Sequence, residues 1–370
     1  MKYLSHVILR RGLFINNKRA KDSIYESGLM VFKCLSVSEE FSIDYCEVDQ
    51  EERSINTGYD FYLFNYHVIT MNWLDTAKLK KLLGCVGTII LEVAPGDPFI
   101  MCPAKDFSFY CILDPTIKPR KNLFVFPRPL DIFPGVVSHA ENDIPVIGSF
   151  GFATKGKGFH HVVDAVNKEF DKAIIRLNIP YGDFVPESET YAKFLAELCI
   201  KKAKPGIEVR VTHDFMQKDD LIKWCANNTL NCFLYDRDMP GLSATTDQAI
   251  ISERPLAISQ NDTFRHIEKY IRPYPAISLK DSILNSSTAV LRMKEDWKPA
   301  NFAKIFERML VSQNTSAQKN VVGKVTLPVL KSQSVHNLKL KFKRYVRKIK
   351  KLNINSLLRN NDNKHSKKVL

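Results

Sequence analysis

The chain has 370 residues and a formal net charge of +14, with 45% hydrophobic and 25% charged residues. This composition is ordinary for a soluble globular protein, and at roughly 150 residues per domain it indicates two domains. The longest apolar stretch, around residues 82–91, is about half as long as a membrane-spanning helix, so no transmembrane segment is expected.

The positive charge is concentrated near the C-terminus. Of the 54 Lys and Arg residues, 13 lie in 331–370, which holds only one of the 40 acidic residues. Residues 1–330 therefore carry a charge of only +2, and the chain divides into a near-neutral body and a basic tail.

The cysteines and the N-terminus bear on the compartment. The eight cysteines form no CxxC pair and no Cys/His cluster with zinc spacing, and most lie among apolar residues. Such cysteines indicate a reducing compartment, and the apolar run at the N-terminus is too short for a secretory signal. A cytoplasmic protein is therefore expected.

Strand and helix patterns alternate along the first part of the chain. The predicted strands are 41–48, 60–66, 87–93, 109–113 and 123–127. The predicted helices are 22–36 and 72–84. Consecutive apolar positions, as in 87–93, are typical of strands that are covered on both faces. The alternation predicts a parallel sheet with helical crossovers.

The segment 127–145 contains four prolines and reads as a connector, after which the alternation begins again. The predicted strands are 144–150, 173–178, 207–212, 231–235, 255–259 and 276–279. The predicted helices are 157–168, 187–203, 217–226, 243–252, 262–271 and 297–310. Two open α/β domains with a hinge leave a cleft between the carboxyl ends of their sheets, where ligands bind.

Three regions are therefore predicted. They are an N-terminal α/β domain (1–142), a C-terminal α/β domain (143–310), and a polar linker followed by a basic helical tail (311–370).

A glycine- and lysine-rich loop opens the second domain. Residues 148–158 contain Gly151, Lys155 and Lys157 and join a strand to a helix, an arrangement that suits phosphate binding. The alternative is a plain tight turn with solvated lysines. The loop also approaches a Walker A motif, but Gly158 stands where that motif has the Ser or Thr that holds Mg²⁺.

A second loop, 236–248, follows the predicted strand 231–235 and opens a helix. Its hydroxyls and backbone N–H groups suit a diphosphate, while Asp247 and Gln248 suit ribose or sugar hydroxyls. The alternative, which does not exclude the first, is that Ser243 caps the helix. The pattern Asp236-Arg-Asp238 resembles an Asp-x-Asp metal motif, although a helix-entry turn is the commoner meaning of such a loop.

These patterns together resemble the donor half of the GT-B glycosyltransferases, most closely the group 1 sugar transferases of surface polysaccharide synthesis. The similarity extends over about 143–280 and includes Lys157-Gly158-Phe159, 213–215 and 241–243. It implies two Rossmann-like parallel-sheet domains that face each other across a cleft. It also implies transfer of a sugar, of the hexosyl type, from a nucleotide-diphosphate donor to a glycan or lipid-linked acceptor.

The resemblance also implies roles for individual residues. Lys157 would contact the donor diphosphate, 241–243 would approach the phosphates, and 213–215 would lie near the base. The predicted donor-binding residues are Gly151, Lys155, Lys157, Asn178, His213, Phe215, Gly241, Leu242, Ser243, Thr245, Asp247 and Gln248.

Two positions depart from the family pattern. Pro240 and Gln248 stand where the family often has the two glutamates of a Glu-(seven residues)-Glu motif. The alternatives to an active glycosyltransferase are a catalytically degenerate GT-B-like binding protein and, as the less favoured one, a P-loop nucleotide enzyme.

Catalysis would need a stabilised diphosphate and an activated acceptor hydroxyl. Lysines and backbone N–H groups would supply the first without a metal ion or another cofactor. If the reaction inverts the anomeric centre, a base must come from the N-terminal domain, and His67, Glu92 and Asp97 follow strands predicted to face the cleft. A packed histidine and a carboxylate paired with a lysine are the alternatives for His67 and Glu92.

The basic tail has an apolar helical face. Its apolar residues are Leu338, Phe342, Tyr345, Ile349 and Leu352. A basic amphipathic helix indicates peripheral binding to an anionic membrane, here its inner face. The alternatives are a self-packed or disordered tail and, last, nucleic-acid binding, for which no recognition module is present, so no nucleic-acid partner is expected.

Overall fold

The computed structural model describes residues 10–18, 23–91, 97–99, 102–135, 137–182, 187–237, 241–312 and 322–330. The elements of the first half are β1 (Arg10–Asn17), α1 (Ser23–Leu35), β2 (Phe41–Val48), β3 (Ser54–Asn56), β4 (Phe61–Phe64), α2 (Leu79–Leu83), β5 (Val86–Ile90), β6 (Phe109–Ile112) and β7 (Leu123–Val125). Those of the second half are β8 (Val146–Phe150), α3 (Phe159–Glu169), β9 (Ala173–Asn178), α4 (Ser188–Lys202), β10 (Ile207–Thr212), α5 (Lys218–Ala226), β11 (Leu230–Phe233), α6 (Thr245–Ile251), β12 (Leu256–Ile258), α7 (Leu279–Asn285), α8 (Ser287–Asp296), α9 (Pro299–Ser312) and β13 (Lys324–Thr326).

Both halves are built on parallel sheets. The first sheet has six strands in the order β2-β1-β4-β5-β6-β7, and the second has five in the order β10-β9-β8-β11-β12. All neighbouring strands in both sheets run parallel. The predicted fold class of two Rossmann-like domains is thereby confirmed. In each sheet the strand order reverses once, between β1 and β4 and between β8 and β11.

Two predicted elements are absent or shortened in the structure. Residues 276–279 form no strand, because the Ser278 side chain accepts a hydrogen bond from the Asp281 backbone N–H and begins α7. The predicted helix 262–271 is reduced to a 3-10 turn at Asp262–Phe264, followed by further turns. The strand β1 was not predicted, although it lies inside the first sheet.

The end of the described chain returns to the N-terminal half. In α9, Phe302 and Phe306 are buried in one core cluster with residues of α1, β1, β4 and β6. The Phe306 ring centroid lies 5.4 Å from that of Phe41 and 5.6 Å from that of Phe61. The predicted boundary at 310 is therefore corrected, since α9 packs with the first domain.

The described residues after α9 also pack with the first domain. Strand β13 pairs antiparallel with β3, and Leu327, only 1% exposed, lies in the core on the other face of the first sheet. Residues 322–330 were predicted to be part of a polar linker, but they belong to the N-terminal domain because they supply a strand and a buried side chain.

The predicted amphipathic segment 338–352 lies outside the described residues. Within the residues that the structure does describe, no helix combines the length and the apolar character that crossing a membrane requires.

We predict that truncating Phe306 to alanine destabilises the protein. The side chain is fully buried against an aromatic cluster, so the free energy of unfolding should fall by about 3–5 kcal/mol. Urea unfolding followed by circular dichroism measures this change. Val311 lies on the same helix and is 73% exposed, so Val311→Ala is the control and should change stability by no more than about 0.5 kcal/mol. Equal effects of the two substitutions would contradict the packing of α9 on the first domain.

Candidate functional site

The candidate site lies at the carboxyl edge of the second sheet, where the strand order reverses. Strands β8 and β11 are neighbours there, with Ile147 opposite Leu230 and Gly148 opposite Asn231. The loop 151–158 and the residues 234–237, which follow the two strands, therefore lie side by side. Open α/β sheets bind ligands in the crevice at such a reversal.

Two glycines allow these loops to touch. Gly158 has a φ of +63°, and a Cβ at this position would lie 1.8 Å from the Leu234 carbonyl oxygen. Gly156 has a φ of +82°, and its Cβ would lie 2.6 Å from the Arg237 Cα. The carbonyl of Gly156 also accepts a hydrogen bond of 3.1 Å from the Asp236 backbone N–H. A Ser or Thr at 158, as in a Walker A motif, would collide with the Leu234 carbonyl just after β11, so the local geometry does not support that alternative.

Gly151 has a different role from these two glycines. Its φ is +141°, and the atoms nearest to a Cβ there would be Lys157 Nζ at 3.3 Å and Thr245 Cγ2 at 3.5 Å. The missing side chain therefore faces the polar groups of the site. The close approach of a ligand to Gly151 stays a prediction, and the absence of a side chain beside Lys157 and Thr245 is what it would require.

A chain of polar groups connects the two loops. Lys157 Nζ donates a hydrogen bond of 2.9 Å to the Tyr235 hydroxyl and lies 4.5 Å from the centre of that ring. The Tyr235 hydroxyl lies 2.9 Å from Thr245 Oγ1, which lies 2.7 Å from Ser243 Oγ. We call these four residues the donor cluster. It brings together three predicted residues, Lys157, Ser243 and Thr245.

Tyr235 is the member of the donor cluster that sequence reasoning missed. It stands at the end of the predicted strand 231–235, and no role was predicted for its side chain. The signal that would have identified it is a hydroxyl at the carboxyl end of a strand beside the reversal.

The loop 241–243 is fixed by Thr263. The Ser243 backbone N–H donates to the Thr263 carbonyl at 3.2 Å, and Thr263 Oγ1 donates to the Gly241 carbonyl at 3.2 Å. The Ser243 N–H is thus already bonded within the protein, whereas its side-chain hydroxyl belongs to the donor cluster. Leu242 is half-buried in the same loop, and Pro240 and Asp238 lie outside the described residues.

Asp247 faces the connector between the domains. Both carboxylate oxygens accept from Arg128 Nε at 2.8 Å, and the two side chains are only 4% and 7% exposed. Burial raises the pKa of Asp247, and the guanidinium of Arg128 opposes that shift. The predicted bond from Asp247 to a donor hydroxyl would have to compete with this ion pair. The neighbouring Gln248 is half-buried.

A second ion pair joins the domains through Arg265. Its guanidinium donates to Asp114 Oδ2 at 2.6 and 2.9 Å, and Asp114 follows β6 of the first sheet. The adjacent His266 is fully buried and stacks on Trp297 at 5.6 Å. Burial, with Arg128 and Arg265 nearby, lowers the pKa of His266 well below its usual value. The side chains of Arg265 and His266 therefore both pack at the domain junction.

An aromatic surface lies beside the donor cluster in the second sheet. His213 stacks on Tyr181 with ring centroids 4.9 Å apart, and Phe215, which is 70% exposed, lies 6.3 Å from the Phe152 ring. Asn178 holds this loop, since its Nδ2 donates to the Asp214 carbonyl at 3.1 Å. Exposed flat rings at a strand edge suit the stacking of a nucleotide base.

The predicted bases of the N-terminal domain are placed differently from one another. His67 is 3% exposed just after β4, and its Nδ1 accepts from the Ile69 backbone N–H at 3.2 Å. Asp97 is exposed and accepts from the Phe99 backbone N–H at 3.0 Å, as in a local turn. Glu92 lies outside the described residues. His67 follows the end of β4 by three residues and so lies at the carboxyl edge of the first sheet.

Two buried asparagines near His67 were not predicted. Asn65 Nδ2 donates to Asn16 Oδ1 at 2.9 Å, and both side chains are fully buried. They end β1 and follow β4, the two strands between which the order of the first sheet reverses. The sequence signal that could have identified them is an asparagine at the end of an apolar run.

The charged groups at the rim of the loops complete the site. Lys155 is exposed, and the carboxylate of Asp236 lies 3.3 Å from His161 Nε2.

In the part of the chain that the structure describes, no three His, Cys, Asp or Glu side chains are grouped so that they could hold a metal ion.

No protein-family model matches the sequence, and no curated protein is similar to it in sequence. Solved structures do share its fold. The N-terminal domain of trehalose-6-phosphate phosphatase from Candida albicans superposes with a TM-score of 0.57 at 9% identity, covering 82% of this chain and 97% of that one. Anabaena HepE in complex with UDP gives a TM-score of 0.53 at 11% identity, covering 82% of this chain and 100% of that one.

A third structure is the lipopolysaccharide outer core galactosyltransferase WaaB, with a TM-score of 0.52 at 12% identity, covering 82% of this chain and 99% of that one. At identities this low, the similarity shows the fold alone. The fold is that of the GT-B glycosyltransferases, with two Rossmann-like domains.

We predict that Gly158→Ala separates the two loops. The left-handed backbone costs an alanine about 1–2 kcal/mol, and the new Cβ would also displace the Leu234 carbonyl, so stability should fall by more than about 2 kcal/mol. Urea unfolding measures the loss. Gly323→Ala is the control, because its Cβ would meet nothing nearer than Thr57 Oγ1 at 3.7 Å. An alanine at 158 that is tolerated as well as one at 323 would show that the close approach is not required.

Proposed function

We propose that the protein is a glycosyltransferase that moves a sugar from a nucleoside-diphosphate donor to a glycan or lipid-linked acceptor. The observation that carries the proposal is the donor cluster, which places a lysine and three hydroxyls beside Gly151 at the reversal of the second sheet. Structures of the same fold support it, since HepE was solved with UDP and WaaB is a galactosyltransferase.

Lys157 is the group that would stabilise the leaving diphosphate. Its ammonium is now held by the Tyr235 hydroxyl at 2.9 Å, a neutral partner that a phosphate oxygen would replace with a stronger charge-assisted bond. The hydroxyls of Ser243 and Thr245 would add donors to the same oxygens. Fixed positive charge and hydroxyls that face the developing negative charge lower the barrier without a metal ion, so we propose metal-independent transfer.

The aromatic surface at 213–215 would hold the donor base. Phe215 and His213 would contact its face, while Asn178 keeps the loop in position through the Asp214 carbonyl. Gln248 and Asp247 would reach the ribose or sugar hydroxyls, which for Asp247 requires sharing its carboxylate with Arg128.

On the acceptor side, His67 is the base we propose for an inverting reaction. His67 lies just after β4 at the carboxyl edge of the first sheet, and histidine is the side chain that most often serves as a general base. The acceptor hydroxyl would lie between His67 and the sugar. The hydrogen-bonded pair Asn16 and Asn65 supports this edge of the sheet from within.

We propose that the enzyme belongs to surface polysaccharide synthesis and is cytoplasmic, peripheral on the inner face of a membrane. The sequence of the basic segment 338–352 supports this, because an apolar face flanked by lysines and arginines favours an anionic lipid surface. An acceptor carried on a lipid would then be presented at the same surface.

A second candidate is a non-catalytic protein that binds a nucleotide sugar. The ion pair of Asp247 with Arg128 favours it, since that carboxylate is occupied, and Gln248 stands where the group 1 family often has a glutamate. Binding without turnover would distinguish this candidate from an enzyme.

We predict that a thermal-shift screen of UDP-, GDP-, ADP-, TDP- and CMP-sugars identifies a donor. The Lys157→Ala variant should bind that donor at least about tenfold more weakly, because a charge-assisted hydrogen bond is worth about 1.5–3 kcal/mol. Isothermal titration calorimetry measures the dissociation constants. Lys168→Ala is the matched control, since Lys168 is exposed in the last turn of α3, the helix that follows the Lys157 loop, and this variant should bind the donor normally. A screen in which no nucleotide sugar shifts the melting temperature, or equal donor affinities of the two variants, would contradict the proposed donor site.

We predict that His67→Gln lowers transfer by about 10²–10⁴-fold and leaves donor affinity unchanged, because a general base acts on the acceptor and not on the donor. Release of nucleoside diphosphate in the presence of glycan and lipid-linked acceptors measures the rate. His160→Gln serves as the control, because His160 belongs to α3 of the second domain and is not proposed as the acceptor base, and this variant should retain activity. Undiminished transfer by His67→Gln would exclude His67 as the base.

A further inference from the structure

A cavity of about 400 Å³ lies where α9 passes the end of β7. We call it the junction cavity. Its walls include Val125–Pro127 of the first domain, Lys269 and Tyr270 from beyond β12, and residues 296–308 around the start of α9. Neither the donor cluster nor His67 lines it, so the cavity is separate from the proposed transferase site.

The lining of the junction cavity is positively charged. Lys304 and Arg308 lie one turn apart on the same face of α9, and Lys269 stands on the facing wall. Like charges at this spacing destabilise a helix slightly. Among the described residues, neither Lys304 nor Arg308 has an acidic partner.

The one acidic residue of the lining does not neutralise these cations. Asp296 Oδ2 accepts a hydrogen bond of 2.7 Å from the Tyr270 hydroxyl and lies 3.9 Å from Arg292, which is outside the cavity. Three cations therefore face one carboxylate whose oxygen is already engaged. A ligand with two negative charges would restore the balance.

The other part of the lining is aromatic and held in place. Tyr270 and Trp297 pack edge to face with ring centroids 5.8 Å apart, and the far side of Trp297 stacks on His266 at 5.6 Å. The Trp297 carbonyl accepts from the Leu130 backbone N–H at 3.3 Å. Rings held in this way form a preformed wall, and the volume is that of a small-molecule site, too small for a folded partner.

We propose that the junction cavity binds a small organic phosphate, with the phosphate on Lys304, Arg308 and Lys269 and the organic part against Tyr270, which packs on the buried Trp297. Arg and Lys from opposite walls suit a dianionic group, and a flat ring wall suits an apolar or aromatic body. Because both domains contribute walls, the occupied cavity favours the arrangement of the domains seen here. The proposal does not rest on the transferase activity.

The test is a titration of the full chain with phenyl phosphate and with inorganic phosphate, read by calorimetry and by tryptophan fluorescence. Phenyl phosphate should bind more tightly than inorganic phosphate, and Lys304→Ala/Arg308→Ala should weaken it at least about tenfold, as expected for the loss of charge-assisted bonds. Lys269 is an exposed side chain on the facing wall and is not part of α9. The Lys269→Ala variant should therefore weaken phenyl phosphate binding without any effect on α9.

The controls separate this site from others. Lys80→Ala/Lys81→Ala removes the same charge from exposed positions of α2 and should bind phenyl phosphate normally. Lys157→Ala should also bind normally, whereas loss of binding in that variant would place the anion in the donor cluster and overturn the proposal. No binding to the wild-type chain, full binding by the Lys304/Arg308 and Lys269 variants, or equal affinities for the two probes would overturn it as well.

Discussion

The close approach of two loops at the carboxyl edge of the second sheet is the constraint on which the candidate site depends. The Leu234 carbonyl occupies the space that any side chain at 158 would need. With the loops in contact, Lys157 reaches the Tyr235 hydroxyl, and through it Thr245 and Ser243. The reversal of strand order places the loops side by side, and the glycines allow them to join into one polar surface.

Two ion pairs and the return of helix α9 connect the two domains. The connector residue Arg128 bonds Asp247 at the start of α6, while Arg265 reaches back to Asp114 of the first domain. Both pairs are buried, so removing one partner would leave an uncompensated charge and be strongly destabilising. Helix α9 then returns to the first domain, and the junction cavity lies along this crossing. The same crossing that completes the first core thus creates the second ligand site that we propose.

Much of the architecture follows from local patterns, and the exceptions have physical causes. Strand β2 and strands β9 and β10 coincide with the predicted ranges, because apolar residues recur at alternate positions in each of them. Strand β1 has only three consecutive large apolar residues, and its Gly12 is tolerated because the Phe61 ring fills the space above it. Of the donor cluster, Lys157, Ser243 and Thr245 were predictable from loop composition, whereas the Asp247–Arg128 pair joins residues 119 positions apart and has no local signature.

Hydrogen–deuterium exchange of the full chain, with and without the nucleoside diphosphate of the selected donor, tests the central claim most directly. The account predicts slower exchange of backbone amides in 151–158 and 241–248, since a diphosphate bound at the reversal of the second sheet would order both loops together. Unchanged exchange in these two segments at a saturating nucleotide concentration, or protection confined to other parts of the chain, would contradict it.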